Sequence, residues 1–198
     1  MSPNTKTLLL RVASFVSLGA VLCGVLSAWG LSLRDESPFE RVYHLGSLTT
    51  QWIPGLIFGV ALGLAFGKKF GVVAALAASN ALIYFLAVEM FIYTMRPLDH
   101  FRGGFLSGFA GALGVSVIAS CLLKIRPGVY ATLVTAVIGC LLGYGFIRLY
   151  FGPGGKTSAV VDSLCAIAAF LVWQVPVSLS VAKSASSEVS KAFSLTEA

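Results

Sequence analysis

Charge is what this sequence has least of. Lys, Arg, Asp and Glu make up 11% of its 198 residues, against about a quarter in soluble domains, so a water-facing shell around a conventional core is excluded. Acids are scarcer than bases, 8 against 14. The net charge of +6 nevertheless does not point to nucleic acid, because Lys and Arg stand in ones and twos at the ends of apolar segments, the pattern of membrane anchoring. Histidine is limited to His44 and His100, both in polar connections, whereas bis-histidine haem needs two at membrane depth on facing helices. Cys23, Cys121, Cys140 and Cys165 lie in separate apolar segments with no C-x-x-C pair. A disulfide framework or zinc site is thereby excluded, leaving them as small buried hydrophobes. There is no H-E-x-x-H, no Asp-rich cation-binding repeat, and no Ser or Cys nucleophile with an adjacent His. The expectation is a protein that is not an enzyme and has no metal and no cofactor.

Hydrophobic residues are abundant at 57%, with a mean hydropathy of +0.90. Crossing a bilayer as a helix takes about twenty predominantly apolar residues, and such stretches occur at 8–30, 48–67, 70–95, 104–123, 128–150 and 159–182. The expected fold is all-α: a polytopic bundle of six transmembrane helices forming one domain over 1–182, in contact with the lipid bilayer. The first stretch is longer than a signal-peptide core and no A-x-A site closes it, so it reads as a membrane helix. Assigning the connections alternately puts eight cations on one side, Lys6, Arg11, Lys68, Lys69, Lys124, Arg126, Lys183 and Lys191. Six fall on the other: Arg34, Arg41, Arg96, Arg102, Arg148 and Lys156. That bias orients both termini to the cytoplasm of a cell with the protein in its plasma membrane.

Between the first two stretches, Ser37, Pro38 and Glu40 fit an N-cap, a proline in the first turn and the reciprocal glutamate of a capping box. Phe39, Val42, Tyr43 and Gly46 then share one face, opposite Glu40, Arg41 and His44, predicting a short interfacial helix. "GKKFG" and "KIRPG" are short enough to force tight hairpins. The layouts of stretches 2–3 and 4–5 resemble each other, as a duplicated helix pair would. "FGPGGKTS" lacks the spacing of a phosphate-binding loop and reads as a turn. Residues 183–198, rich in Ser and Ala, predict a disordered cytoplasmic tail.

Glycine recurs every fourth position at Gly55, Gly59, Gly63, Gly67 and Gly71. In lipid nothing hydrophobic drives helices together, so close backbone approach over small residues must supply the contact. This stripe is expected to pack helices within the bundle, with a self-association face or a smooth wall against a ligand or pore as the alternatives. Weaker small-residue stripes run through Ala20, Gly24 and Ala28, through Gly104, Gly108 and Ala112, and through Ala131, Thr135, Gly139 and Gly143.

Ionisable groups inside a membrane are costly and need partners. Glu89, Arg148 and Asp162 fall at similar depth in this topology, with His44, Asp99, His100 and Arg102 just above, predicting either an ion-pair cluster or an outward-facing polar site. Asn80 and Gln174, near Trp173 and Pro176, form a second level, suited to backbone groups freed by the proline. Two functions fit. One is a small-solute carrier or substrate-capture subunit. The other is a non-catalytic structural or accessory membrane protein that packs with itself, as a homo-oligomer, or with a larger membrane complex.

Overall fold

The computed structural model describes residues 3–36, 48–125, 129–150 and 159–196, with side chains at 95–101 and at several helix ends left out. The interfacial helix expected over 37–46, His44 and the glycine-rich turn before Lys156 lie outside the described residues. Five helices follow one another: α1 (Pro3–Glu36), α2 (Ile53–Ala65), α3 (Phe70–Leu123), α4 (Val129–Tyr150) and α5 (Ala159–Thr196). They contain five stretches long and apolar enough to cross a membrane, Thr5–Gly30, Phe70–Thr94, Arg102–Leu123, Val129–Leu149 and Val161–Ser186. This is a helical membrane protein.

The second of the six expected stretches is instead the shorter apolar helix α2, of 13 residues. At helical rise it spans about 20 Å, less than the roughly 30 Å hydrocarbon core. Local chemistry sets its ends. Pro54 occupies its first turn, where the missing N–H costs nothing. Gly67 terminates it at φ +62, a conformation that glycine adopts without strain.

Although helical throughout, α3 doubles back on itself. A Cβ placed on Gly114 would lie 3.1 Å from Ile83, and one on Gly103 would lie 3.2 Å from Phe91. Positions 83 and 114 would be on the order of 46 Å apart in a straight helix. Its two arms are therefore antiparallel neighbours, and the described helices associate in three antiparallel pairs.

Each pair closes over small residues. Between α2 and the first arm of α3, a Cβ on Gly59 would overlap the Leu76 carbonyl, and one on Gly55 would meet Asn80, Ala81 and Tyr84. Gly63 faces Val73 at 3.0 Å. The other members of that series behave differently: Gly67 makes the turn, and Gly71 faces open space. The second arm of α3 meets α4 in a similar way, Gly108 lying against Gly139 and Gly143, and Ala112 against Gly139. The third pair is α1 with α5, where Gly24 lies against the backbone of Ile167. In all three, the glycine lets a main chain, rather than only a side chain, come into contact.

The core that results is built from small and β-branched residues: Val12, Val16, Ala61, Ala65, Ala112, Val115, Val177 and Ala182, around Phe58. α5 continues to Thr196, past position 183 where a disordered tail was expected. Beyond Pro176 the sequence has neither Gly nor Pro, so nothing local stops the helix.

The end of the bundle that holds the N-terminal part of α1 also holds the C-terminal part of α5, since Lys6 and Lys183 border one groove. Two cations there serve as caps for neighbouring helices. Arg11 donates to the Leu64 carbonyl at 3.3 Å, which also accepts from Gly67 N–H at 2.9 Å, and Lys68 donates to the Leu123 carbonyl at 3.5 Å, so positive charge meets the C-terminal carbonyls of α2 and α3.

Gly59→Ala is expected to destabilise the protein by about 1–3 kcal/mol, the usual range for overpacking, seen as a lower unfolding temperature in detergent. Gly71→Ala, at the same spacing but facing open space, should leave that temperature unchanged or slightly raised.

Candidate functional site

A cavity of about 400 Å³ lies between the two glycine-lined hairpins. The first contributes Phe58 from α2 and Asn80, Ile83, Tyr84, Ala87 and Phe91 from α3; the second contributes Gly108, Gly111, Val115, Gly143, Phe146 and Ile147. Trp173 of α5 completes the wall. The spacing explains the first contribution, because positions 80, 83, 84, 87 and 91 form one face of a helix. In the second hairpin Gly108 and Gly143 line the cavity with backbone, their Cβ positions being directed at each other's helix.

Aromatic contacts hold the walls in place. Phe58 meets Trp173 edge-on, with ring centroids 6.2 Å apart, and the Trp173 ring rests on Gly111, where a Cβ would come within 3.1 Å. Phe170, fully buried, holds both side walls: it contacts Tyr84 at 6.0 Å and Phe146 at 5.1 Å. Such pairs favour offset or edge-to-face geometry and add about 0.5–1.5 kcal/mol each beyond area burial.

Against this apolar lining Asn80 stands out. It is 1% exposed and sits about 15 Å along the first arm of α3 from Phe70, near the middle of the crossing. Its Nδ2 donates to the Leu76 carbonyl at 2.8 Å, while its Oδ1 has no hydrogen-bond partner. Rotating the amide by 180° would set Oδ1 against the Leu76 oxygen, acceptor against acceptor, so the orientation is fixed by its own helix. A buried acceptor without a donor costs about 1–3 kcal/mol. The polar groups nearer the mouth differ from it. Ser107 donates to the Gly104 carbonyl at 3.3 Å, and Thr50 and Tyr84 are likewise engaged.

Gln174 takes another direction. Its Nε2 donates to Cys23 Sγ at 3.8 Å, and that thiol donates to the Pro54 carbonyl at 3.4 Å. The chain of contacts ties α5 to α1 and α1 to α2. The two members of the expected second polar level thus part company, Asn80 facing the cavity and Gln174 the α1 interface, and Cys23 is a link rather than only a small hydrophobe. Nothing in the cysteine spacing signals this.

Glu89, Arg148 and Asp162 are all exposed. Glu89 lies on the stripe of α3 opposite the cavity, with Leu82 (50% exposed), Leu86 (56%) and Tyr93 (83%). Among the described residues no ion pair joins it to Arg148, whose guanidinium lies 6.0 Å from the Tyr144 ring. Asp162 occupies the first turn of α5, where a carboxylate complements the helix dipole. The described side chains do not bring these three together.

Replacing Asn80 by Leu removes an unpaired acceptor and keeps similar bulk, so it is expected to raise the unfolding temperature of ligand-free protein by an amount equivalent to about 1 kcal/mol. Glu89→Gln is expected to change stability by no more than about 0.5 kcal/mol, as surface substitutions do. Thermal unfolding in detergent checks both. No known family model, curated protein or solved structure matches this chain, so the chemistry of the cavity itself must carry the functional reading.

Proposed function

We propose that this protein binds a small, largely apolar solute bearing a hydrogen-bond donor, within the bundle, as a carrier or substrate-capture subunit. One observation carries the reading: the Asn80 carbonyl oxygen is buried and unpartnered in the wall of a 400 Å³ cavity otherwise dominated by aromatic, aliphatic and glycine surface. Pockets of this size, mostly apolar with few orienting polar groups, suit small ligands. An acceptor at the apolar end selects for a donor, because an analogue without one leaves the same group unpaired. Charged solutes are disfavoured, since among the described residues no Asp, Glu, Lys, Arg or His lines the cavity.

The topology proposed with it has six crossings. The helical turn at 48–51 joins α2 through the hydrogen bond from Trp52 N–H to the Leu48 carbonyl, 3.1 Å, giving the short pass nearly the thickness of the hydrocarbon core. The end bearing Lys6, Arg11, Lys68, Lys69, Lys124 and Lys183 faces the cytoplasm by the positive-inside rule. The cavity then reaches from mid-membrane toward the opposite face, where Thr50, Gln51 and Ser107 stand. A plasma-membrane location accords with uptake from outside.

A second reading rests on Glu89. A carboxylate beside Leu82, Leu86 and Tyr93 on the outward stripe favours an accessory role, in which a partner helix supplies the cation. Glu89→Leu would then shift the assembly toward the monomer in native mass spectrometry.

For the first reading, the purified protein is titrated with phenols, aromatic amines and long-chain alcohols alongside their donor-free ethers. Donor-bearing compounds are expected to raise the unfolding temperature, by the equivalent of about 2.7 kcal/mol at a hundred times Kd. Asn80→Leu and the cavity-filling Ala87→Phe should each abolish that rise. Equal shifts from alcohols and their ethers, unaffected by either substitution, would overturn it.

A further inference from the structure

We infer that the groove between α1 and α4, at the end of the bundle where Lys6 and Lys183 lie, is a binding site for an anionic phospholipid. Both helices pack on α5 but share no extensive interface with each other, leaving a furrow of about 720 Å³ floored by Pro176, Leu179 and Ser180 of α5. Its walls are apolar and face outward: Leu10 is 69% exposed on one side and Val134 36% on the other. In a membrane-spanning bundle such a surface meets acyl chains, so the occupant has a hydrocarbon tail.

The mouth sets the head. Lys6 and Lys183, distant in sequence, are the charged groups of the groove, and both are exposed. Two ammonium groups at one opening repel each other; a phosphate between them turns that repulsion into two charge-assisted hydrogen bonds. The wider field has the same sign. Arg11 and Lys68 cap helices at this end, with Lys69 and Lys124 beside those caps. Glu89 and Asp162, the acids with described side chains, belong to the other end. A zwitterionic head brings a choline or ethanolamine cation into this field, whereas a phosphatidylglycerol head brings only negative charge. Basic pockets between membrane helices on the cytoplasmic side hold anionic heads by the same chemistry.

The test uses the full chain in detergent, with phosphatidylglycerol, phosphatidylcholine or inorganic phosphate added, read by native mass spectrometry and thermal unfolding. Phosphatidylglycerol alone is expected to stay bound and raise the unfolding temperature. Lys6→Gln with Lys183→Gln should weaken its binding by about tenfold or more without altering unfolding in plain detergent. Ala13→Phe, which fills the groove and keeps both charges, should weaken it as well. Lys68→Gln with Lys69→Gln should leave it within about twofold, because those lysines lie outside the groove. Equal binding of the zwitterionic lipid, an equal shift from phosphate alone, or equal losses from the two lysine pairs would each overturn the assignment.

Discussion

Helices in lipid gain nothing by hiding apolar surface from one another, so each of the three helix pairs rests on how closely two backbones can approach. Gly55 and Gly59 against α3, Gly108 against α4 and Gly24 against α5 are places where a single methyl group would strike main chain. Dispersion falls away steeply with separation, and a gap of 0.5–1 Å forfeits a quarter to a half of the attraction. The small residues are therefore the source of cohesion. They also govern where the larger groups go: Trp173 packs against Gly111 and Ile83 against Gly114.

The cavity is the complement of that tight packing. Each hairpin is closed within itself by glycine, and the two hairpins meet across aromatic and aliphatic side chains that cannot fill the space between them. Helix pairs with similar glycine spacing, set side by side, leave a seam, and beside that seam the Asn80 oxygen is buried in apolar surroundings without a donor. A polar group retained at such a cost to the empty protein is a common mark of sites where stability is exchanged for function. Gln174 and Cys23, at similar depth, turn toward each other and serve cohesion, although Gln174 Oε1 is buried without a partner as well.

Much of the architecture was legible in the sequence. Long apolar runs announce membrane helices, and the short connections "GKKFG" (67–71) and "KIRPG" (124–128) announce hairpins. The alternation of cations sorts Lys6, Arg11, Lys68 and Lys183 to one end, where the groove and the two capping hydrogen bonds place them. What was not legible is which face of each helix looks inward. In water that question is answered by amphipathicity, but in lipid the two faces are equally oily: Ile83 lines the cavity and Leu86 points away from it. Sequence reasoning could place Glu89 at a depth, yet had no means of assigning it to the side of Leu86 rather than that of Ile83. The expected second stretch is longer than α2 for a related reason, since an apolar composition carries on beyond Trp52 and Gly67, where the helix begins and ends.

The pairing of α1 with α5 bears on how the chain assembles as it is made. Gly24 must await Ile167, which leaves the ribosome only after both hairpins have been threaded into the bilayer. Until then α1 has just α2 for company, and the furrow that will later lie between α1 and α4 has no floor. The small residues of α1 around Gly24 consequently stay uncovered until α5 is made.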